Sequence, residues 1–198
     1  MALTGYVPQV GERDLERIVR SLRNAHERLL LTGPLLAEAE GTSVAAIEFT
    51  NGLDDTYDVY HFEFDLTPVN DGDQAYMVVR ENGVWHFSNY HYAGSSCDTT
   101  TTLNAHIATT STIVRISLGV GNASGEGASG WLRLYDRAGG AKFWRCCFQG
   151  IAYGTTASLN DMQASGGRAS ANSVDGIRFG MTSGNVSGRV RMYGVPKL

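Results

Sequence analysis

The side chains that could serve as nucleophiles, bases or metal ligands are scattered along the chain. Nucleophilic catalysis needs a serine or cysteine with a histidine and an orienting acid in reach, and the sequence contains no G-x-S-x-G motif. His86 and His91 lie five residues apart in one strand-like stretch and so face opposite sides of it. The histidines lack a metal-ligand spacing, and they are His26, His61, His86, His91 and His106. We therefore predict packing roles for them, no catalytic residue, no metal and no cofactor.

Two short acidic stretches offer oxygen ligands of the kind that calcium prefers. One contains Asp54, Asp55 and Asp58, and the other is residues 70–73, NDGD. Neither follows the Asp-x-Asx-x-Asx-Gly spacing with its downstream glutamate. Turn formation by Asx side chains explains the second stretch and is the favoured interpretation. A calcium site and a glycosidase pair of carboxylates, which has no fixed sequence spacing, stay open as alternatives.

Aromatic residues are concentrated between Gly83 and Gly94. Rings on an exposed strand face could stack on a sugar, whereas rings on the inner face form core, which is the more common case. Trp131 and Trp144 carry the same two interpretations. For a sugar ligand, the predicted contacts are Trp85, Tyr90, Tyr92, Asp54 and Asp58.

Composition predicts a globular chain with a core of its own. The chain has 198 residues, of which 42% are hydrophobic, and a formal net charge of -4. This acidic balance gives no electrostatic case for nucleic acid or an anionic membrane as partner. An odd number of cysteines with Cys146 next to Cys147 does not form a disulfide framework, so buried thiols in a reducing cytosol are expected.

Short alternating runs with glycine-rich turns predict a mainly β chain. About nine strands at short, regular spacing indicate an antiparallel β-sandwich or jelly roll over residues 35–198. Residues 74–80 and 84–92 predict a hairpin with an Asn-Gly turn, and residues 173–195 predict a second hairpin whose last strand lies deep in a sheet. Residues 34–43 are interpreted as a connector, and residues 93–102 as a Ser/Thr-rich loop.

The segment before this β region has a different pattern. Apolar residues recur at steps of three and four over residues 12–31, which predicts one amphipathic helix. We interpret residues 1–34 as a helical attachment or oligomerisation segment. Its arginines form either a solvated face or a docking surface for an acidic partner. The predicted docking and oligomerisation residues are Leu15, Ile18, Val19, Leu22, Arg13, Arg17 and Arg20.

Three stretches resemble a family of tailed-bacteriophage virion proteins. They are residues 13–31, residues 57–66 with 75–92, and the ending IRFGMTSGNVSGRVRMYGV at residues 177–195. That ending is similar to the I-R-F-x-x-S-S-G-N-I-x-x-G-x-I-R-L-Y-G-I endings of phage fibre, collar and tail proteins. The resemblance implies an N-terminal helical segment before a β-sandwich, and a structural role in a symmetric oligomer, most often a trimer.

The function predicted from these observations is a structural subunit of a tail fibre, collar or head-tail appendage. It would be made in the bacterial host cytoplasm, form a homo-oligomer with a trimer favoured, and dock on other virion proteins through its N-terminal helix, without enzymatic activity. The alternative is a carbohydrate-binding module that recognises a host surface glycan. A polysaccharide-degrading enzyme is the third hypothesis.

Overall fold

The described part of the chain consists of β-strands joined by turns and loops. The computed structural model describes residues 33–98, 103–136, 143–155 and 158–196, which contain thirteen strands and no helix. Within these ranges the predicted fold class is corrected to a mainly β structure of two antiparallel sheets, and the helix that the prediction included is not shown. The segment for which that helix was predicted, residues 12–31, lies outside the described residues. In the described ranges, no helix is long and apolar enough to cross a membrane.

The strands are short to medium in length, and their bounds follow chain order. They are β1 (Leu35–Val44), β2 (Ile47–Phe49), β3 (Tyr57–Pro68), β4 (Asp73–Glu81), β5 (Val84–Trp85), β6 (Tyr90–Asp98), β7 (Leu103–Ser111), β8 (Val114–Val120), β9 (Gly127–Tyr135), β10 (Arg145–Tyr153), β11 (Leu159–Arg168), β12 (Val174–Met181) and β13 (Val186–Pro196).

These strands form a large and a small sheet. The large sheet has eight strands in the order β1-β13-β3-β9-β10-β11-β6-β7. The small sheet has five, in the order β2-β12-β4-β5 with β8 paired to β4. One sheet thus already holds as many strands as a whole eight-stranded jelly roll.

Strand alternation places the core between the two sheets. On β3, Tyr60, Phe62 and Leu66 are fully buried, as the alternation of apolar residues predicts. From the small sheet, the ring of Phe179 approaches that of Phe62 at 5.7 Å between centroids. Gly150 of β10 allows close approach of the sheets, because a Cβ at this position would lie 2.0 Å from a backbone oxygen of β8.

The predicted C-terminal hairpin is wrong, although its last strand is where we expected it. β12 belongs to the small sheet, whereas β13 lies in the large sheet between β1 and β3. The connecting turn is fixed by Asp73, which accepts hydrogen bonds from the hydroxyl of Thr182 and, at 3.0 Å, from the amide of Ser183. These bonds hold the turn at the start of β4, and the chain crosses from there to the other sheet.

Three further predictions of local structure need correction. Residues 84–92 are split between β5 in the small sheet and β6 in the large one, while the Asn-Gly turn between β4 and β5 is confirmed, with φ of 51° at Asn82 and 79° at Gly83. The predicted connector at 34–43 forms most of β1, and the predicted loop from residue 93 belongs to β6 as far as residue 98. β1 was missed because it is an edge strand in which glutamates interrupt a weakly apolar pattern.

A buried carboxylate joins the small sheet to the segment that leads into β12. Glu81 is 1% exposed and accepts hydrogen bonds from Trp144 Nε1 at 3.0 Å, an Arg168 guanidinium nitrogen at 2.5 Å and Ser170 Oγ at 2.7 Å. Burial works to raise the pKa of Glu81, but these hydrogen bonds and the Arg168 charge outweigh it and hold the pKa below its ordinary value. Glu81 is therefore a charged, satisfied crosslink at the margin of the core.

Candidate functional site

The outer face of the large sheet carries a mixed row of polar and aromatic side chains. The row crosses six strands in direct register and consists of Glu63, Trp131, Gln149, Gln163, Ser95 and Ala105. Neighbouring positions in such a row lie about 4.8 Å apart. A flat ligand placed along the row can therefore contact several of these side chains at once.

A depression of about 340 Å³ lies beside Trp131, and we call it the Trp131 groove. It spans β9, β10, β11 and β6, and its volume is in the range of small-ligand sites. The groove is open because most side chains on its floor are short. Besides Trp131, the side chains that line it include Gln149, Gln163, Cys147, Ser165 and Ala93.

The indole of Trp131 is held in place from the side of β3. The imidazole of His61 stacks on it with ring centroids 6.2 Å apart and an interplanar angle of 26°. The guanidinium of Arg133 lies 5.6 Å from the centroid of the indole ring, and its Nε donates to His61 Nδ1 at 3.4 Å. These contacts hold the indole before any ligand arrives.

The environment of His61 favours its neutral form. Burial lowers the pKa of His61, and the neighbouring Arg133 charge lowers it further, while Glu63 acts in the opposite direction. A second contact restrains Glu63, which accepts a hydrogen bond from the hydroxyl of Tyr193 at 3.0 Å. The support behind Trp131 thus stays a neutral ring at pH 7.

The amide side chains on the groove floor differ in their restraint. Gln149 Nε2 donates to Asp161 Oδ1 at 3.2 Å, which fixes the orientation of the Gln149 side chain. Gln163 and Ser165 are exposed. Amides and hydroxyls both donate and accept hydrogen bonds, so this floor can satisfy a ligand that is rich in hydroxyl groups.

A second feature is the apolar row on β7, the edge strand next to β6. Leu103 and Ile107 are 74% and 76% exposed, and Ala105 lies between them on the same face. We call these three residues the β7 apolar row. Their partners on β6 are Cys97, Ser95 and Ala93, which places the row on the outer face of the large sheet.

The two tyrosines predicted as glycan contacts lie in the core. Tyr90 is fully buried, and its hydroxyl donates to the carbonyl of His86 at 2.8 Å and accepts from the amide of Val79 at 2.9 Å. Burial raises the pKa of Tyr90. Tyr92 is 8% exposed. Both residues take the core role that the sequence analysis favoured for this aromatic stretch.

The other predicted glycan contacts lie on different parts of the molecule. Trp85 is on the outer face of the small sheet, with the Arg178 guanidinium 4.6 Å from its ring centroid. Asp54 precedes β3, where its carbonyl accepts a hydrogen bond from Tyr60 at 2.6 Å, and Asp58 lies at the start of β3. The structure therefore does not bring the five predicted contacts together on one surface.

The structure also bears on the predicted metal ligands and cysteines and on the docking residues. No cluster of three or more histidine, cysteine, aspartate or glutamate side chains that could hold a metal is found among the residues that the structure describes. None of the three cysteines forms a disulfide, and burial raises the pKa of the Cys146 thiol to about 12. The seven predicted docking residues, Arg13 to Leu22, lie outside the described residues.

Sequence reasoning missed the Trp131 groove because it left Trp131 with two interpretations. The alternation of Trp131, Arg133 and Tyr135 with buried Leu132 and Leu134 is the signal that places the tryptophan outward. Gln149 and Gln163 carry no such signal, because only the register of β9, β10 and β11 places them in one row with Trp131.

Fold and site together define a two-sheet antiparallel β protein with an aromatic-walled groove and an apolar edge strand on one outer face. Neither a protein-family model nor a curated protein sequence matches this chain.

Proposed function

We propose that the chain is a structural subunit of a bacteriophage particle, in a tail fibre, collar or head-tail appendage, and that it assembles as a symmetric homo-oligomer with a trimer favoured. Two points support this proposal. The ending at residues 177–195 resembles those of phage fibre, collar and tail proteins. The single structural observation that carries the assembly is the β7 apolar row.

The β7 apolar row is unusual for an edge strand left in water. Natural proteins protect long edge strands with charges, prolines or a covering element, because an exposed edge invites pairing with another chain. β7 is nine residues long, and its sequence LNAHIATTS contains no lysine, arginine, proline or acidic residue. A contact with further copies of this chain covers both the strand edge and the exposed leucine and isoleucine.

Disruption of the β7 apolar row tests the assembly. We expect the wild-type chain to have the mass of a trimer and Ile107→Asp to have that of a monomer, because a carboxylate at a subunit contact is desolvated without a partner. Light scattering coupled to size exclusion measures both masses. The matched control is Val84→Asp, at a 59% exposed valine of the small sheet, which should remain trimeric.

Two results would contradict the assembly proposal. One is a wild-type protein that is monomeric at micromolar concentration. The other is an Ile107→Asp variant that keeps the wild-type mass. Circular dichroism of each variant checks that the fold is retained, which is expected because Ile107 is 76% exposed and contributes little to the core.

Incorporation into particles tests the virion role. We expect an epitope-tagged full-length chain, supplied during infection by the phage that encodes it, to be present in purified particles and to label a fixed position in electron micrographs. A tagged chain of residues 33–198 should be absent from particles, because we propose that the N-terminal segment contacts other virion proteins. Particles without the full-length chain would refute the virion role, and particles with the shorter chain would refute docking by this segment.

A further inference from the structure

The Trp131 groove has the composition of a carbohydrate site. We propose that it binds an uncharged pyranose glycan on the outer face of the large sheet. This inference goes beyond the structural role proposed above and does not depend on it. The proposal is carried by the convergence of a restrained indole, two amides and a hydroxyl around one open depression.

The wall of the groove suits the apolar face of a sugar ring. A pyranose presents a patch of C–H bonds on one face, and these pack on an aromatic ring through its negative π face. Trp131 is already oriented by His61 and Arg133, so little side-chain freedom is lost when a sugar stacks on it. His61 stays neutral beside the Arg133 charge, because burial and Arg133 lower its pKa.

The floor suits the hydroxyl groups of the same ligand. Gln149 is held by Asp161, and Gln163 and Ser165 lie on the next strand within the same lining. Each amide both donates and accepts, which matches hydroxyls that do the same. Cys147 and Ala93 have short side chains, so a ring can lie flat above them without a clash.

The charges around the groove favour an uncharged ligand over an acidic one. Asp161 lies two residues before Gln163 on β11 and accepts a hydrogen bond from Gln149. Arg133 contacts the indole of Trp131 and donates a hydrogen bond to His61. An anionic sugar would place its carboxylate near Asp161, and Arg133 already contacts Trp131 and His61. Amides and hydroxyls therefore set the specificity.

Two tryptophans on opposite sheets allow a sharp test. An array of uncharged oligosaccharides built from hexose and N-acetylhexosamine units is probed with the full-length chain, and the best ligand is titrated by calorimetry. We expect Trp131→Ala to weaken binding at least about tenfold, since an aromatic contact contributes about one factor of ten. Gln163→Ala, at an exposed position, should weaken binding several-fold without loss of the fold. Trp85→Ala, on the small sheet, should bind as the wild type does.

Three results would overturn the proposal. They are no binding of any array member by the wild-type chain, equal binding by the wild type and by both groove variants, and loss of binding in Trp85→Ala alone. None of these results bears on the mass of the oligomer or on the presence of the chain in particles, so the glycan site and the structural role are tested separately.

Discussion

Removal of residues 186–198 is expected to abolish cooperative folding. β13 lies between β1 and β3, so its loss leaves β1 without its strand partner and turns β3 into an unprotected edge of the large sheet. Three of its side chains are fully buried, Val186, Val190 and Met192. Each contributes about 1.5–3 kcal/mol, and together they approach the total stability of a typical domain, about 5–15 kcal/mol. Urea unfolding followed by circular dichroism should show no cooperative transition.

A pair of neighbouring point variants separates the role of β13 from the effect of shortening the chain. Val190→Asp places a carboxylate at a fully buried core position, which carries a large desolvation cost, and should also prevent folding. Arg189→Ala changes the adjacent residue, which is exposed on the outer face, and should unfold close to wild type. A truncated chain that still unfolds cooperatively would show that the remaining strands form a stable fold without β13.

Replacement of Glu81 by glutamine should destabilise the protein by about 3 kcal/mol or more. The variant keeps the shape of the side chain, but it leaves Arg168, whose side chain is 13% exposed, without its counter-ion. Removal of one partner from a buried ion pair costs about 3–5 kcal/mol. The free energy of unfolding in urea at pH 7 measures this loss.

The pH dependence of stability provides a second measurement of the same group. The folded pKa of Glu81 is lowered, so its contribution is fully present above the ordinary glutamate pKa of about 4.3 and is lost as the pH falls through the folded value. Asp73 behaves in the same way. Burial works to raise its pKa, but hydrogen bonds, of which that from Thr182 is the strongest, outweigh burial and lower the pKa. Wild-type stability should therefore fall on acidification below about pH 4, and Glu81→Gln should show a shallower fall.

The control for this pair of measurements is Glu48→Gln. Glu48 also pairs with an arginine, Arg178, at 2.5 Å, but its side chain is 34% exposed. Solvent screens such a pair, so its loss should cost less than about 1 kcal/mol. Equal stabilities of wild type and Glu81→Gln at pH 7 would mean that the buried network contributes nothing to the fold.

The sequence predicted strands well where alternation and turn chemistry act locally. β3 shows the expected buried face, and Asn82-Gly83 forms the expected turn. Sheet membership was not predictable from the same signals. A short turn between two alternating runs looks alike whether the strands pair with each other or cross between sheets, and the bonds from Asp73 that decide the case span about a hundred residues.

The candidate site was less accessible to sequence reasoning than the fold. Burial of Tyr90 depends on hydrogen bonds of its hydroxyl to Val79 and His86, which let a phenol lie in the core. The Trp131 groove depends on the register of β9, β10 and β11. The order of polar residues in the sequence does not reveal this register. Leu103 and Ile107 are ordinary strand residues in sequence, and only the pairing of β7 with β6 shows that they lie on the uncovered outer face of the sheet.

The position of β13 between β1 and β3 has a consequence for biosynthesis. Among the described strands β13 is synthesised last, so until then β1 lacks its sheet partner and β3 lacks one of its two. We expect the acidic side chains on those two strands, Glu38, Glu40, Glu63 and Asp65, to oppose aggregation through these edges until β13 is made. Once β13 has paired with β1, Arg189 forms an ion pair with Glu40, and Arg191 forms one with Glu38. The same glutamates that protect the strand edge of the unfinished chain thus stabilise the strand pair of the folded protein.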